Sequence, residues 1–140
     1  VQDKAFTQVG NDNWIMAYVH VAHDCVIGDH NVIANSVQFA GHVMVGNYTL
    51  IGGISGIHQF VRIGDFAMLG FQTRLSQDLP PFVVAAGNPA QAQNVLYRKG
   101  LTLEAAKAEI VALRGQTPEA DGDIDQMLAF LAQADRGIVR

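Results

Sequence analysis

The sequence is poor in several features at once, and each shortage narrows what the chain can be. It has a single cysteine, Cys25, so no intrachain disulfide can form, a usage that fits a reducing compartment. Only 16% of its 140 residues are charged, and its nine Lys and Arg are spread thinly along the chain. With a formal net charge of −4 and no basic run, it has nothing to track a phosphate backbone, which argues against a nucleic-acid partner. Its apolar stretches are a few residues long, far short of a membrane span, and no signal-peptide pattern opens it. These shortages together lead us to expect a cytoplasmic protein. Hydrophobic residues make up 49%, which argues against disorder and for a packed core.

What the sequence does contain is a repeat. Every sixth residue from Val9 is large and apolar: Val9, Ile15, Val21, Ile27, Ile33, Phe39, Val45, Ile51, Ile57, Ile63, Leu69 and Leu75. The residue after each is Gly, Ala or Ser in ten of the twelve hexads, Met16 and His58 being the exceptions. The fifth position is mostly small or β-branched, as in Cys25, Val37, Val43, Thr49, Ser55 and Thr73. A period of six fits neither a helix nor a plain strand. It suits a coil in which each hexad supplies one short strand and one tight corner, with the first and fifth residues inward and a Gly or Ala easing the turn. Three hexads per triangular turn make a parallel β-helix of four eighteen-residue coils over residues 9–80, stacked at about the usual strand spacing.

The period ends at Pro80-Pro81, which divides the chain into a β-helix over residues 1–81 and a connection with C-terminal helices over 82–140. Residues 82–100 read as irregular connection. Thr102 and Gly115 are placed to cap and stop a helix over about 103–114, and a second helix is expected over Asp123–Gln133. Ile124, Met127, Leu128 and Leu131 would form the apolar face of that second helix.

All five histidines fall between residues 20 and 58. In eighteen-residue coils His23, His42 and His58 share one prism face in three successive turns, with His20 at the corner just before it. His30 lies on a different face. Titratable groups converging on one groove suit proton transfer, and His23 beside Asp24 sets a base next to a carboxylate that can fix its tautomer. The same residues could also be tolerated surface polar groups. Zinc is a rival, but successive histidines are separated by 3, 7, 12 and 16 residues, and this spacing lends a metal site no support.

The stretches VGNDNWIMAYVHVAHDC, FAGHVMVG, IGGISGIHQF and QDLPPFVVAAGNPA, with the terminal RGIVR, resemble the UDP-N-acetylglucosamine 3-O-acyltransferases. Those enzymes belong to the hexapeptide-repeat transferases. The likeness runs from about Val9 to Ala90 and again from Leu96 to Arg140. It implies an all-β main body, a left-handed parallel β-helix, followed by a short α-helical segment. It implies a homotrimer that moves a 3-hydroxyacyl group from acyl carrier protein to the 3-hydroxyl of UDP-N-acetylglucosamine, the first step of lipid A biosynthesis, with no cofactor and no metal.

By the same resemblance His23 is the general base, Asp24 its partner, and the backbone N–H of Gly41 the oxyanion donor. His20, His42, His58 and Gln59 line the substrate cleft. Phe71, in the coil below Gly53, would be a ruler that limits acyl length, although it could instead pack against the C-terminal helices. The family pattern also has further coils before Val9 and a nucleotide-gripping loop where Asn94-Val95 here runs straight into Leu96. An inactive trimeric scaffold or binding module is therefore the alternative function, and a zinc hydratase a third.

Overall fold

A computed structural model of the chain describes residues 6–87, 103–112 and 121–133. The first coil is β1 (Gln8–Val9), β2 (Trp14–Ile15) and β3 (His20–Val21). The second is β4 (Val26–Ile27), β5 (Val32–Ile33) and β6 (Gln38–Phe39). The third is β7 (Met44–Val45), β8 (Leu50–Ile51) and β9 (Gly56–Ile57). The fourth is β10 (Arg62–Ile63), β11 (Met68–Leu69) and β12 (Arg74–Leu75), followed by β13 (Val84–Ala85). Helices α1 (Leu103–Ala112) and α2 (Asp121–Ala132) complete the described residues.

The strands form three parallel sheets on the sides of a left-handed prism. Sheet 1 has the order β1-β4-β7-β10, sheet 2 β2-β5-β8-β11-β13 and sheet 3 β3-β6-β9-β12. Partners lie eighteen residues apart, as in Ile27↔Val45 and Phe39↔Ile57, which is the register that the sixfold period requires. Within a hexad only three residues alternate, such as Cys25 inward, Val26 outward and Ile27 inward, so each strand stays short. From Ile27 to Leu75 every first-position residue is almost fully buried. In the first coil Val9 and Ile15 are 44% and 40% exposed, because nothing among the described residues stacks on them.

The corners turn by a different device from the one the composition suggests. The left-handed residue is the fourth of each hexad, and it is never glycine: Asp24, His42, Ile54, Phe60 and Phe66 are among twelve such residues, with φ between 53° and 65°. Each conformation costs about 1–2 kcal/mol for an L residue. It is offset by aiming the amide along the prism axis, where His42 N–H donates to His23 O, Tyr48 N–H to Asp29 O and Phe60 N–H to Gly41 O. The small second residue serves packing between coils. A Cβ on Gly28 would lie 2.6 Å from Gly46 O in the next coil.

The solenoid also runs further than Pro80-Pro81. Leu79 pairs with Ile63 and Ala85 with Leu69, sixteen residues apart instead of eighteen. The hexad after Leu75 has lost two residues, and the pattern then resumes as Leu79, buried Val83 and Ala85, with Phe82 at φ 62°. The side chain of Asp78 fills the shortened corner and accepts the Arg62 N–H at 2.8 Å.

Helix α2 begins two residues before the expected start, with Asp121 and Asp123 in its first turn, where the helix dipole favours carboxylates. Leu131 is buried as anticipated, while Ile124, Met127 and Leu128 are only half-buried. The helix is pinned to sheet 1 by a residue outside that expected face. The Arg62 guanidinium sits 5.1 Å over the Phe130 ring and donates to Gln133 O at 3.0 Å. Thr102, Gly115, Asn88, Pro89, Ala90 and the terminal RGIVR stretch lie outside the described residues.

Ile54 is a β-branched residue at φ 59° and is 55% exposed, so its side chain gains little to offset the backbone strain. Ile54→Asn should raise stability by about 1 kcal/mol, read as a higher melting temperature. A lower melting temperature would show that the Ile54 side chain matters more than its backbone strain.

Candidate active site

The corner joining sheet 3 to sheet 1 carries the titratable cluster. Its geometry follows from the coil: residues eighteen apart stack, so Asp24 and His42 occupy the same left-handed position in consecutive turns. Asp24 is completely buried, and its Oδ2 lies 2.7 Å from His23 Nδ1 and 3.7 Å from His42 Nε2. The short bond makes Nδ1 of His23 the donor to the carboxylate and leaves the Nε2 lone pair available. The His23 side chain is 43% exposed and so can reach a substrate. His42 stands edge-on to it, with ring centroids 5.2 Å apart and planes at 89°.

Gly41 is buried under the His23 ring. A Cβ there would fall 2.6 Å from His23 Cε1 and 2.8 Å from Nε2, so only glycine allows this placement of the imidazole. Its carbonyl accepts the Phe60 N–H, and its neighbours Ala40 and His42 donate to Ile57 O and His23 O. Among the described residues the Gly41 N–H takes no part in this ladder. It is a backbone donor beside an imidazole nitrogen, the pairing that acyl transfer uses for an oxyanion and a proton.

A groove of about 670 Å³ runs along sheet 3 up to this corner. Its floor is the outward column His20, Gln38, Gly56 and Arg74, and Ala40, His58 and Ser76 bound it on the corner side. His20 is thus a strand residue of β3 rather than a corner residue as first placed. His58 is exposed and bonds through Nδ1 to Gln59 O at 3.2 Å, with Gln59 exposed beside it. Gln38, Arg74 and the gap left by Gly56 escaped the sequence reading, which followed inward residues. Reading the outward residue before each aliphatic would have found that column.

Two of the singled-out residues lie elsewhere. His30 sits on the corner between sheets 1 and 2, 3.7 Å from Asp12 Oδ2 and stacked on Tyr48. Phe71 is 63% exposed on the corner between sheets 2 and 3, a different prism edge from His23, and α2 packs on sheet 1 instead of over it. His23, Asp24 and His42 also offer ligand atoms within 4.8 Å of one another. Ligation through His23 Nδ1 and Asp24 Oδ2 would replace the 2.7 Å bond between them.

Known proteins resemble the chain in both sequence and fold. Residues 6–41 match the family described as bacterial transferase hexapeptide, six repeats. An acyl-[acyl-carrier-protein]–UDP-N-acetylglucosamine O-acyltransferase of Verminephrobacter eiseniae is 46% identical over 164 residues, an alignment covering all of this chain and 63% of that protein. The enzyme of the same name from Leptothrix cholodnii is 47% identical, with 99% and 62% covered. The chain belongs to the UDP-N-acetylglucosamine O-acyltransferase family.

Among solved members of the family, the Acinetobacter baumannii structure superposes with a TM-score of 0.85 at 34% identity, covering 99% of this chain and 62% of that one. The Moraxella catarrhalis structure gives 0.83 at 33% identity, with 96% and 60% covered. The chain therefore spans about three fifths of the length of the curated relatives it matches.

The Gly41 contact is directly testable. Gly41→Ala should leave the coil intact but push the His23 ring aside and break its bond to Asp24. A crystal structure of the variant checks this, and an unmoved ring would show that the corner yields more readily than its packing implies.

Proposed function

We propose that this chain carries the acyl-transfer site that moves a 3-hydroxyacyl group from acyl carrier protein to the 3-hydroxyl of UDP-N-acetylglucosamine, the opening step of lipid A synthesis in the cytoplasm. The observation that carries this reading is the 2.7 Å His23–Asp24 bond set directly over the Gly41 backbone. The names of the related enzymes support the two substrates. A sugar hydroxyl is a poor nucleophile until a base takes its proton, and His23 Nε2 is the exposed base. The resulting oxygen attacks the thioester carbonyl, and the Gly41 N–H stabilises the charge that develops on the carbonyl oxygen. Collapse breaks the carbon–sulfur bond, and the proton held on His23 passes to the leaving thiolate. Buried Asp24 stabilises the imidazolium between these steps. His20, His58 and Gln59 orient the sugar along the groove, and His42 flanks the base.

The active form is a homotrimer. The outward column of sheet 2 is Trp14, Val32, Leu50, Met68 and Val84, apolar throughout and exposed except for half-buried Val32. Sheet 3 presents the polar groove, and α2 occupies part of sheet 1. A cyclic assembly joins two different patches of each copy, here sheet 2 of one copy against the sheet 3 side of the next. In that arrangement Phe71 faces the His23 groove from the neighbouring copy, where it limits the acyl chain.

His23→Ala should lower transfer by about 10²–10⁴-fold with folding unchanged, while His30→Ala, on its own corner, should leave it unaffected. Assay with acyl carrier protein thioesters and UDP-N-acetylglucosamine decides between the enzyme and an inactive scaffold. A chain that neither binds the sugar nucleotide by calorimetry nor transfers is the scaffold.

Phe71 should impose a preference for shorter 3-hydroxyacyl donors, since each excluded methylene forfeits roughly 0.8 kcal/mol of burial. Phe71→Gly should shift the preference toward longer donors. An unshifted variant, or a monomer by light scattering at micromolar concentration, would remove the ruler from the site.

A further inference from the structure

Asp24, His42 and Phe60 follow one another at eighteen-residue intervals on the active-site corner, each in the left-handed conformation, with φ of 61°, 63° and 65°. The middle ring is held from both sides. His42 lies 4.5 Å from the Phe60 ring with planes 15° apart, and 5.2 Å from His23 with planes 89° apart. Its side chain is only 9% exposed, although it sits at a prism corner, and its Nε2 is directed at Asp24 Oδ2 at 3.7 Å. The column does not continue as before, because the two-residue slip draws Asp78 into the prism, and Phe60 remains 48% exposed. The flat ring of Phe60 is therefore the wall that separates His42 from solvent on this side.

A left-handed backbone favours glycine or asparagine, and an aromatic residue occupies it at a cost in strain. Stacking alone does not single out Phe60, since Tyr48, Phe66 and Phe82 stack at the equivalent position of another corner, 5.1 and 5.2 Å apart. The neighbour distinguishes them. Phe66 lies between two aromatic rings, whereas Phe60 faces a nearly buried imidazole that touches both members of the His23–Asp24 pair.

We propose that Phe60 is a positioning residue for acyl transfer. By stacking on His42 it holds that ring against Asp24 and His23, and so maintains the Nδ1–H tautomer of His23 that leaves Nε2 free to accept the hydroxyl proton. The kinetic part of this inference rests on the transfer reading above; the structural part does not. Loss of the wall lets His42 turn outward, His23 loses its edge contact, and its ring is no longer confined to the orientation that bonds Asp24.

The test compares Phe60→Leu, Phe60→Tyr and Phe66→Leu in the full chain. Imidazole 15N spectra should show one His23 tautomer, protonated at Nδ1, in the parent, in Phe60→Tyr and in Phe66→Leu, and a mixture in Phe60→Leu. With acyl carrier protein thioester and UDP-N-acetylglucosamine, kcat of Phe60→Leu should fall about 10- to 100-fold with KM within about twofold, because the loss is one of orientation. Phe60→Tyr should recover most of it, and Phe66→Leu should keep kcat while losing comparable thermal stability. An unchanged His23 tautomer in Phe60→Leu, or an equal loss of kcat in Phe66→Leu, overturns the proposal. Should Phe60→Leu fail to fold, Phe60→Met, which keeps bulk without a flat ring, takes its place. If the parent shows no transfer, the transfer reading fails, and the tautomer comparison alone decides the positioning role.

Discussion

The hydrogen-bond ladder between consecutive coils is the constraint on which the rest of the structure depends. From β1 to β9 the first amide of each strand donates to a carbonyl of the coil beyond it, as Val26 N–H does to Val43 O, and the residue after the strand does likewise, as Gly28 N–H to Val45 O. At the corners the ladder continues only because every fourth residue of the hexad turns left-handed and swings its amide into line. A backbone group left unpaired inside the prism would cost about 1–3 kcal/mol, comparable to the strain of the turn, so the two terms are matched corner by corner. The ladder also locks the cross-section. Side chains eighteen residues apart have no choice but to stack, and each column must be self-compatible.

The columns show what that demand produces. On one corner Asp29 N–H donates to Asn47 Oδ1 and Asn47 N–H to Asp65 Oδ1, and Gln126 of α2 donates to the other oxygen of Asp65. Just inside, buried Asn31 donates to Gly46 O and accepts from both Thr49 N–H and Thr49 Oγ1. Beside these runs the stacked row His30, Tyr48, Phe66 and Phe82. The corner that carries His23 and Asp24 uses the same stacking for another end. A carboxylate fully removed from water is costly unless bonded, and Asp24 is bonded to an imidazole that is itself partly exposed. A glycine in the next coil then leaves room for that ring and offers its own amide beside it.

The three faces divide the remaining tasks. Sheet 1 holds α2 through Arg62, which stacks on Phe130 and donates to Gln133 O and Oε1. Sheet 2 is apolar outside as well as inside, and sheet 3 is polar and grooved where Gly56 lacks a side chain. One repeat can do this because the inward residues carry the fold, leaving the outward residue of each hexad free to vary.

The sixfold recurrence of aliphatic residues by itself determined the coil, the strand positions, the eighteen-residue register and the buried residues from Ile27 to Leu75, since no other period buries them all. It also brought His23, Asp24 and His42 to one corner, because register alone fixes which residues stack. The tertiary structure decided what depends on contact across coils. Glycine was needed for clearance rather than for turning, as Gly28 and Gly41 show, because the obstructing atoms belong to a chain segment about eighteen residues away. The two-residue slip at Leu79 was hidden by two prolines, although the inward pattern resumes at Leu79, Val83 and Ala85. Phe130 was missed because Arg62, the partner that covers it, is 68 positions away in the chain. His42 could be placed beside Asp24 from the repeat, but its confinement between His23 and Phe60 required the rings themselves. A repeat fixes where backbones lie, whereas ring orientation is settled by the atoms on either side.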